Sequence, residues 1–246
     1  MLSNLDDILV VIPARGGSKR IKKKNIKSIG GQPMIFWPLQ ELSKIFRADQ
    51  ILVSTDDEEI VQSVSEAGLQ VPFRRPQHLA NDHAATMPVV SHALHWYEEH
   101  RKKVDLVLIV YPTAVMLNHR DIIDSIETIK SDSNCDCIFP ATEFSYPIQR
   151  SIYTRPDGYV EMFHPENFQK RSQDLVQGLH DAGQFYLCRP ASIRDDYNVF
   201  SSRSRVIRLP RHRVIDIDTE EDFLFAEMLL NHNKYRPDKI NWRPSL

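Results

Sequence analysis

Between Ala14 and Asn25 the chain gathers Gly16, Gly17 and Ser18 with the cations Arg15, Lys19, Arg20, Lys22, Lys23 and Lys24. Near its other end, Asp216 and Asp218 flank Ile217. Two adjacent glycines let a backbone approach a ligand closely, because no Cβ stands in the way. Amides in such a loop can form an anion-binding concavity, and the cations bring positive charge to the same place. Side chains two apart on a strand point to one face, with Cα atoms roughly 6.5 Å apart. Two carboxylates so placed repel unless a cation or a proton is shared. Mg²⁺ usually takes one or two carboxylates together with substrate phosphates and water. The two clusters together predict a polyphosphate cradle with a metal-holding pair beside it. Taken singly, each has a plainer reading: a solvated basic turn, and a strand end running into a helix cap. The loop has neither Gly-Lys-Ser/Thr nor Gly-x-Gly-x-x-Gly, so it is neither of the two familiar phosphate-binding glycine patterns.

Periodicity supplies the elements that must position these residues. Ile8 to Pro13 is an apolar run of strand length that ends where the glycine loop begins. Gly30-Gly31-Gln32-Pro33 reads as a turn. Met34 to Ile45 then reads as a helix, with Phe36, Leu39, Leu42, Ile45 and Phe46 on one stripe and Pro38 tolerable only in its first turn. Ile51 to Ser54 is a buried strand. Thr55-Asp56-Asp57-Glu58 could be an acidic metal pair, but it is better explained as a helix start with Thr55 as cap. Val71 to Phe73 reads as a short strand. A helix capped by Thr86 follows, with Pro88 in its first turn. His92 and His95 on that helix lack carboxylate company and read as surface or packing residues. Val104 to Val110 suits a strand buried on both faces. A helix over Asp121 to Lys130 and strands at Cys137 to Pro140 and Gln184 to Cys188 follow. Val214 to Asp218 reads as the last strand, leading into a helix that starts at Thr219. From 143 to 180 neither period persists, which predicts an excursion, a β-arm packing on a second subunit. The strand–helix alternation predicts one α/β domain over residues 1–246, with a doubly wound, mostly parallel, Rossmann-type sheet. Ligands bind such sheets at the carboxyl ends of the strands. That brings the glycine loop, the stretch from Arg75 to Thr86, Tyr111-Pro112-Thr113 and Asp216-Ile217-Asp218 to one crevice.

Composition narrows the setting. The 246 residues are 41% hydrophobic and 26% charged, with a formal net charge of -2. The basic loop is therefore local, and general nucleic-acid affinity is not implied. No apolar run reaches membrane-spanning length, and the first residues lack secretory-signal features, so a cytoplasmic location is expected. The 3 cysteines fit a reducing compartment better than a disulfide framework. Cys135, Cys137 and Cys188 lack zinc-site spacing and read as small core residues.

Three separated stretches carry a resemblance that runs across nearly the whole chain. Ile12-Pro13-Ala14-Arg15-Gly16-Gly17-Ser18-Lys19-Arg20 with Lys24-Asn25 resembles the N-terminal motif of the acylneuraminate cytidylyltransferase family, whose members make CMP-activated sialic-type sugars. Arg75-Pro76 with Leu79-Ala80 and Asp82 to Thr86 is similar to the second motif of that family. Asp216-Ile217-Asp218-Thr219 with Glu221-Asp222 is similar to its C-terminal one. The pseudaminic acid branch is resembled most, through Val53 to Ile60, Tyr111 to Ala114, Arg171 to Leu175 and His180 to Tyr186. Tyr111 stands where the N-acetylneuraminate branch commonly has a glutamine that contacts the sugar. Arg20-Ile21-Lys22-Lys23 departs from a Gly or Ile followed by proline found in many members, and leaves Arg15, Ser18, Lys24 and Asn25 in register.

The resemblance implies a nucleotide-diphospho-sugar transferase-like fold and transfer of CMP from CTP to a nonulosonic acid, with pyrophosphate released and Mg²⁺ as cofactor. It implies that Ala14, Arg15, Gly16, Gly17, Ser18, Lys19 and Lys24 hold the triphosphate, and that Asn25, Arg75 and Thr86 surround the cytidine. Asp216 and Asp218 would hold the metal, and Arg15, Lys24 and Asp218 would carry turnover. Tyr111, Gln149, Arg150, Arg171, Gln173, Gln184 and Tyr186 are the candidates for the sugar acid, some of them reaching in from the partner of a homodimer. Other acids of the same kind (N-acetylneuraminic, legionaminic or Kdo) are alternatives to pseudaminic acid. A non-catalytic nucleotide-binding module is the alternative of a different class.

Overall fold

A computed structural model describes residues 5–81, 84–194 and 198–232. Asp82 and His83 of the second motif, and the polar stretch from residue 233 on, lie outside the described residues. In chain order the elements are strand β1 (Ile8–Pro13), the small hairpin β2 (Ser28–Ile29) and β3 (Gln32–Pro33), helix α1 (Phe36–Leu42), β4 (Ile51–Ser54), α2 (Glu58–Glu66) and α3 (Thr86–His100). They continue with β5 (Leu106–Val110), α4 (His119–Ser131), β6 (Cys137–Glu143), β7 (Ile152–Thr154), β8 (Val160–Met162) and β9 (Leu179–Asp181). The chain then forms β10 (Phe185–Cys188), α5 (Pro190–Arg194), β11 (Ser204–Arg208) and α6 (Glu220–Asn231).

The main sheet has the order β11-β6-β10-β5-β1-β4, with β9 added against β6. β1 pairs in parallel with β4 and β5, and β11 with β6. β10 runs antiparallel to both β5 and β6, and β9 antiparallel to β6. β4, β1, β5, β6 and β11 therefore share one direction, and β10 and the short β9 oppose it. The expectation of a mostly parallel sheet holds with one reversed strand at its centre. Helices cover both faces of the central strands, as the all-apolar, buried β5 and the buried run of β1 require. Ile8, Val10 and Ile12 of β1 pack with residues of α1, α2 and α4 on one face. Leu9 and Val11 turn to the other face, under Val90, Leu94 and Tyr97 of α3. A third cluster joins Ile21, Met34, Trp37 and Val115 to Ile217 and to Phe223, Ala226 and Leu230 of α6.

Several local expectations are corrected. α2 is capped by Asp57, whose carboxylate accepts from the amides of Glu59 (2.8 Å) and Ile60 (3.2 Å); Thr55 accepts from the Asp57 amide instead. Thr86 is the first residue of α3, after Ala85 at the cap position, and caps nothing. Residues 71–73 and 214–218 form no strand, because no neighbouring strand pairs with them. β11 was not anticipated from the sequence. α6 begins as expected: Thr219 and Asp222 close a reciprocal capping box. The three cysteines are buried and unbridged; Cys137 and Cys188 face each other across β6 and β10. No helix among the described residues is long and apolar enough to cross a membrane. Residues between β6 and β9 leave the sheet, with β7 and β8 pairing only with each other.

One buried charge joins the start of the fold to its middle. Glu41 on α1 is 3% exposed. It accepts from Lys44 at 2.5 Å, and from the ring and backbone of His119 at the start of α4 at 2.7 and 3.1 Å. Burial works to raise its carboxyl, but these hydrogen bonds outweigh burial and hold it below the ordinary glutamate value. Its folded pKa is thus depressed, so its contribution to stability is present above the unfolded value and lost as pH falls through the folded one. Glu41→Ala should destabilise the protein by about 2–3 kcal/mol at neutral pH. Urea unfolding should show the gap between variant and wild type narrowing below about pH 4.

Candidate active site

β1 delivers the glycine loop to the carboxyl edge of the sheet. The Ala14 amide donates to the Ser54 carbonyl at the end of β4 (2.9 Å), so the loop departs beside α2. The Ala14 side chain is buried in the core cluster under that face. The Gly16 amide donates to the Asp56 carboxylate at 3.0 Å, and the Ser18 amide to the Gly16 carbonyl at 2.9 Å. These two amides close the loop on itself and on the start of α2, rather than pointing outward to a phosphate. Asp56 and Asp57 are thus a loop anchor and a helix cap. Gly16 is required sterically: a Cβ there would sit 2.4 Å from Asp57 Oδ2. Gly17 has open space around it.

Asn25 is buried and braces the loop. Its side-chain amide donates to the Arg15 carbonyl at 2.8 Å, while its own carbonyl accepts from Ile35 at 2.9 Å. Lys24 reaches across the molecule: its ammonium donates to the Ile217 carbonyl at 2.8 Å and to Asp218 Oδ1 at 3.1 Å. Arg20 also pairs with Asp218 Oδ1, at 2.9 Å, a contact that the sequence did not single out. Lys23 adopts a left-handed backbone, φ 52°, and its ammonium turns away to Glu59 on α2. The Arg15 guanidinium donates to the Asn81 carbonyl at 3.2 Å.

Arg15, Ser18, Lys19, Arg20, Lys24 and Asn25 line a cleft of about 280 Å³ with Arg75, Thr86, Tyr111 and Thr113; Ala14, Gly16, Gly17 and Asp216 are not in its wall. Its wall holds five cations (Arg15, Lys19, Arg20, Lys24 and Arg75), and Asp218 is the one carboxylate among its described lining residues. Arg75 is 6% exposed and is pinned to the end of β4, donating to the Ser54 hydroxyl (3.1 Å) and carbonyl. Burial pushes its guanidinium below the ordinary arginine value, with the nearby Arg15 charge adding to this against Asp56. A cleft this cationic, with one arginine already desolvated, favours a polyanion.

The other expected residues divide. Tyr111 lines the cleft and meets Tyr186 edge-on, ring centroids 5.9 Å apart. Tyr186 lies just behind it and donates to Asp181, which the sequence placed in a resembling stretch but gave no site role. Gln184 is buried, with its side-chain amide on the Arg213 carbonyl (2.6 Å) and its side-chain oxygen without a partner; it is not part of the cleft wall. Gln149, Arg150, Arg171 and Gln173 all sit in the excursion. Gln149 donates to the Val176 carbonyl and Arg150 to that of Lys170; Arg171 pairs with Asp174. Gln173 lines a separate cavity among Phe144, Tyr146 and Pro147. Within one chain these four are not brought to the cleft. Their polar types drew attention, but in an aperiodic stretch no spacing fixes where they point.

Asp216 and Asp218 flank the buried Ile217, as expected, on an irregular segment rather than a strand. Asp216 is exposed as a residue, yet protein packed around its carboxyl, and then the charge of Asp218, push it above the ordinary aspartate value. Lys24 offsets this only in part, and a divalent cation could share the pair. Among the described residues no group of three or more acidic, His or Cys side chains converges. The donor set therefore suits an ion that takes the remainder of its ligands from phosphate and water.

A mostly parallel α/β sheet with a cationic cleft at the carboxyl ends of β1, β4 and β5 defines a nucleotidyltransferase-type protein. A family model described as cytidylyltransferase matches residues 9–150, and the chain belongs to that family. A pseudaminic acid cytidylyltransferase of Campylobacter jejuni subsp. jejuni serotype O:2 is 37% identical over 225 residues, covering 92% of this chain and 97% of that protein. A CMP-N,N'-diacetyllegionaminic acid synthase of the same organism is 30% identical, covering 94% and 98%. Among solved structures, a CMP:2-keto-3-deoxy-manno-octonic acid synthetase complexed with CTP shares the fold. Its TM-score is 0.65 at 18% identity, over 92% of this chain and 98% of that one.

The steric argument at Gly16 is testable. Gly16→Ala should leave the far-ultraviolet circular dichroism unchanged while displacing the loop from α2. Turnover with CTP should fall by up to roughly 100-fold, as expected for a misplacement near 1 Å. Wild-type turnover in this variant would remove the loop from the chemistry.

Proposed function

We propose that this chain transfers CMP from CTP to pseudaminic acid, releasing pyrophosphate. The observation that carries the reading is the near full-length likeness to a pseudaminic acid cytidylyltransferase, in a chain whose cationic cleft lies where an α/β sheet binds nucleotides. Chemically, the anomeric hydroxyl oxygen of the acid bonds to the α-phosphorus as its proton leaves. The bridging bond to the β-phosphate breaks, and its electron pair departs on pyrophosphate. Such a transfer needs positioning and charge neutralisation more than covalent help. Arg15, Lys19 and Lys24 meet the triphosphate and the charge that grows on the leaving group. Ser18 contributes its hydroxyl to the same oxygens. Asn25, Arg75 and Thr86 surround the cytidine, and Tyr111, backed by Tyr186, forms the wall toward the sugar acid. Asp216 and Asp218 would hold Mg²⁺, which supplies charge neutralisation at the phosphates when bound.

The excursion between β6 and β9 serves, in this reading, as the arm of a homodimer. Tyr146, Phe163, Phe168 and Val176 there are 60% or more exposed, large apolar side chains that a partner surface would cover. In the dimer, Gln149, Arg150, Arg171 and Gln173 would face the partner's cleft. Gln184 keeps a role behind the wall. Sedimentation equilibrium giving the mass of one chain at micromolar concentration would remove the arm from this account.

The enzyme should release pyrophosphate from CTP with pseudaminic acid and Mg²⁺, with the CMP-sugar identified by mass spectrometry. N,N'-diacetyllegionaminic acid is the arm of the acid panel that the 30% relative favours; N-acetylneuraminic acid and Kdo complete it. Preference for one of these replaces the substrate and keeps the reaction, whereas CTP binding with no product from any acid defeats the reading. Asp218→Ala should lose at least about 100-fold in kcat, and undiminished activity of that variant in chelator would dismiss its metal role.

A further inference from the structure

The segment carrying Asp216 and Asp218 makes no strand pairing, so its course depends on a few anchors. Downstream, the Ile217 side chain is buried with α6, and its carbonyl accepts from Lys24 at 2.8 Å. Upstream, the anchor is Arg213, three residues before Asp216. Its guanidinium donates to both carboxylate oxygens of Asp121, in the first turn of α4. Its carbonyl accepts from the side-chain amide of Gln184 at 2.6 Å. Gln184 is 1% exposed and stands immediately before β10. Its own carbonyl accepts from the Tyr111 amide, just past the end of β5, at 2.9 Å. One residue therefore holds the end of β5 with its backbone and the acidic segment with its side chain. Val214, Ile215 and Asp216 lie between the two anchors, and three residues fixed at both ends have little conformational freedom left.

The residue before Gln184 meets the same segment. Gly183 is left-handed, φ +62°, and a Cβ on it would stand 3.5 Å from the Asp216 carboxyl carbon. Its amide donates to the Asp181 carboxylate at 2.9 Å, in a turn where the side chain takes the place of a backbone acceptor. The side-chain oxygen of Gln184 is buried without a partner among the described residues. An unpaired buried acceptor is costly, and what the amide supplies in return is the bond to Arg213.

We propose that Gln184 is a positioning residue for the carboxylates of Asp216 and Asp218, acting through the Arg213 carbonyl, and not a contact of the sugar acid. Two carboxylates one residue apart repel, and an unanchored segment would relax by turning them away from each other. Gln184 and the Arg213–Asp121 pair resist this from upstream, as Lys24 does from downstream. The arrangement offered to a divalent cation is then set before the cation and the phosphates arrive, so binding does not have to order the segment as well.

This inference rests on the metal role proposed for the pair, and its test separates the two. In the full-length protein, Gln184→Met keeps the size of the side chain and removes both its donor and its unpaired oxygen. Amide hydrogen exchange read by mass spectrometry should show residues 212–219 exchanging roughly tenfold faster, with β1 and β5 as in wild type. The Mg²⁺ concentration for half-maximal turnover should rise roughly tenfold, while KM for the sugar acid stays within about twofold. Unchanged exchange over 212–219 would overturn the positioning role, and so would faster exchange with an unmoved Mg²⁺ dependence. A raised KM for the acid with the Mg²⁺ dependence unmoved would overturn it too, and return Gln184 to the sugar. Should Gln184→Met unfold, Asp121→Asn loosens Arg213 from the side of α4, and the same two measurements decide. A wild type indifferent to Mg²⁺ overturns the metal role, and this inference with it. An active, Mg²⁺-dependent wild type with unmoved variants overturns this inference only.

Discussion

The Lys24 ammonium is the contact on which the arrangement of the site depends. It joins residues 193 and 194 positions apart, by bonding to the Ile217 carbonyl and the Asp218 carboxylate at once. One end of the bridge is a basic loop that would otherwise be pushed outward by its own charge. The other is a segment with no strand pairing, held by Ile217 in the α6 cluster. Two like-charged groupings of opposite sign are each costly alone and mutually stabilising together. The same pairing holds Asp218 in the wall of the cleft. Arg20, on the same oxygen, adds a second cation that a polyphosphate can recruit once it arrives.

Around that bridge, the apolar elements supply rigidity rather than chemistry. β1, β4 and β5 are buried up to the half-buried Pro13 at the end of β1, and their ends are fixed by the sheet register. The loop is then stiffened by Asn25 from one side and by Asp56 from the other. Charged groups that face a ligand are useful only if they do not relax toward each other before it binds. Arg75 illustrates this: the Ser54 hydroxyl and carbonyl absorb its donors at the back, so its charge stays directed without a carboxylate pairing among the described residues.

What the sequence revealed follows from which interactions are local. The strand before the glycine loop was legible because its apolar run is continuous, and the start of α6 because Thr219 and Asp222 stand three apart. The doubly covered sheet followed from alternation of such segments. The reversed β10 could not be read, because its direction is decided by pairing with β5 and β6, residues far away in the chain. Val214 to Asp218 has a strand's alternation, but alternation records only that one face is buried, and here that face packs on α6. Thr55 and Asp57 are both competent caps, and two residues of register decide between them. The cationic wall was legible by composition. The turning of Gly16 toward Asp56 was not, since it needs α2 to be docked first. Resemblance offered Asn25 and Arg75 as ligand contacts; what the structure shows for both is a bracing role.

The excursion poses the same question at a larger scale. Its hairpin of β7 and β8 has no sheet to join, and its aromatic residues face outward. A chain pays conformational entropy to order such a segment and recovers little by burying it against its own domain. Yet its two roots are not loose: Glu143 pairs with Leu179 and Ala141 with Asp181, directly beside β10. A segment tethered at both ends to one register point can move as a unit only by straining that point. The polar groups there are Asp181 and the Gly183 turn, and the turn lies against Asp216. A load on the arm would therefore bear on Asp181 and the turn beside Asp216, and the glycine loop, braced by Asn25 and by Asp56 before α2, is held by separate contacts.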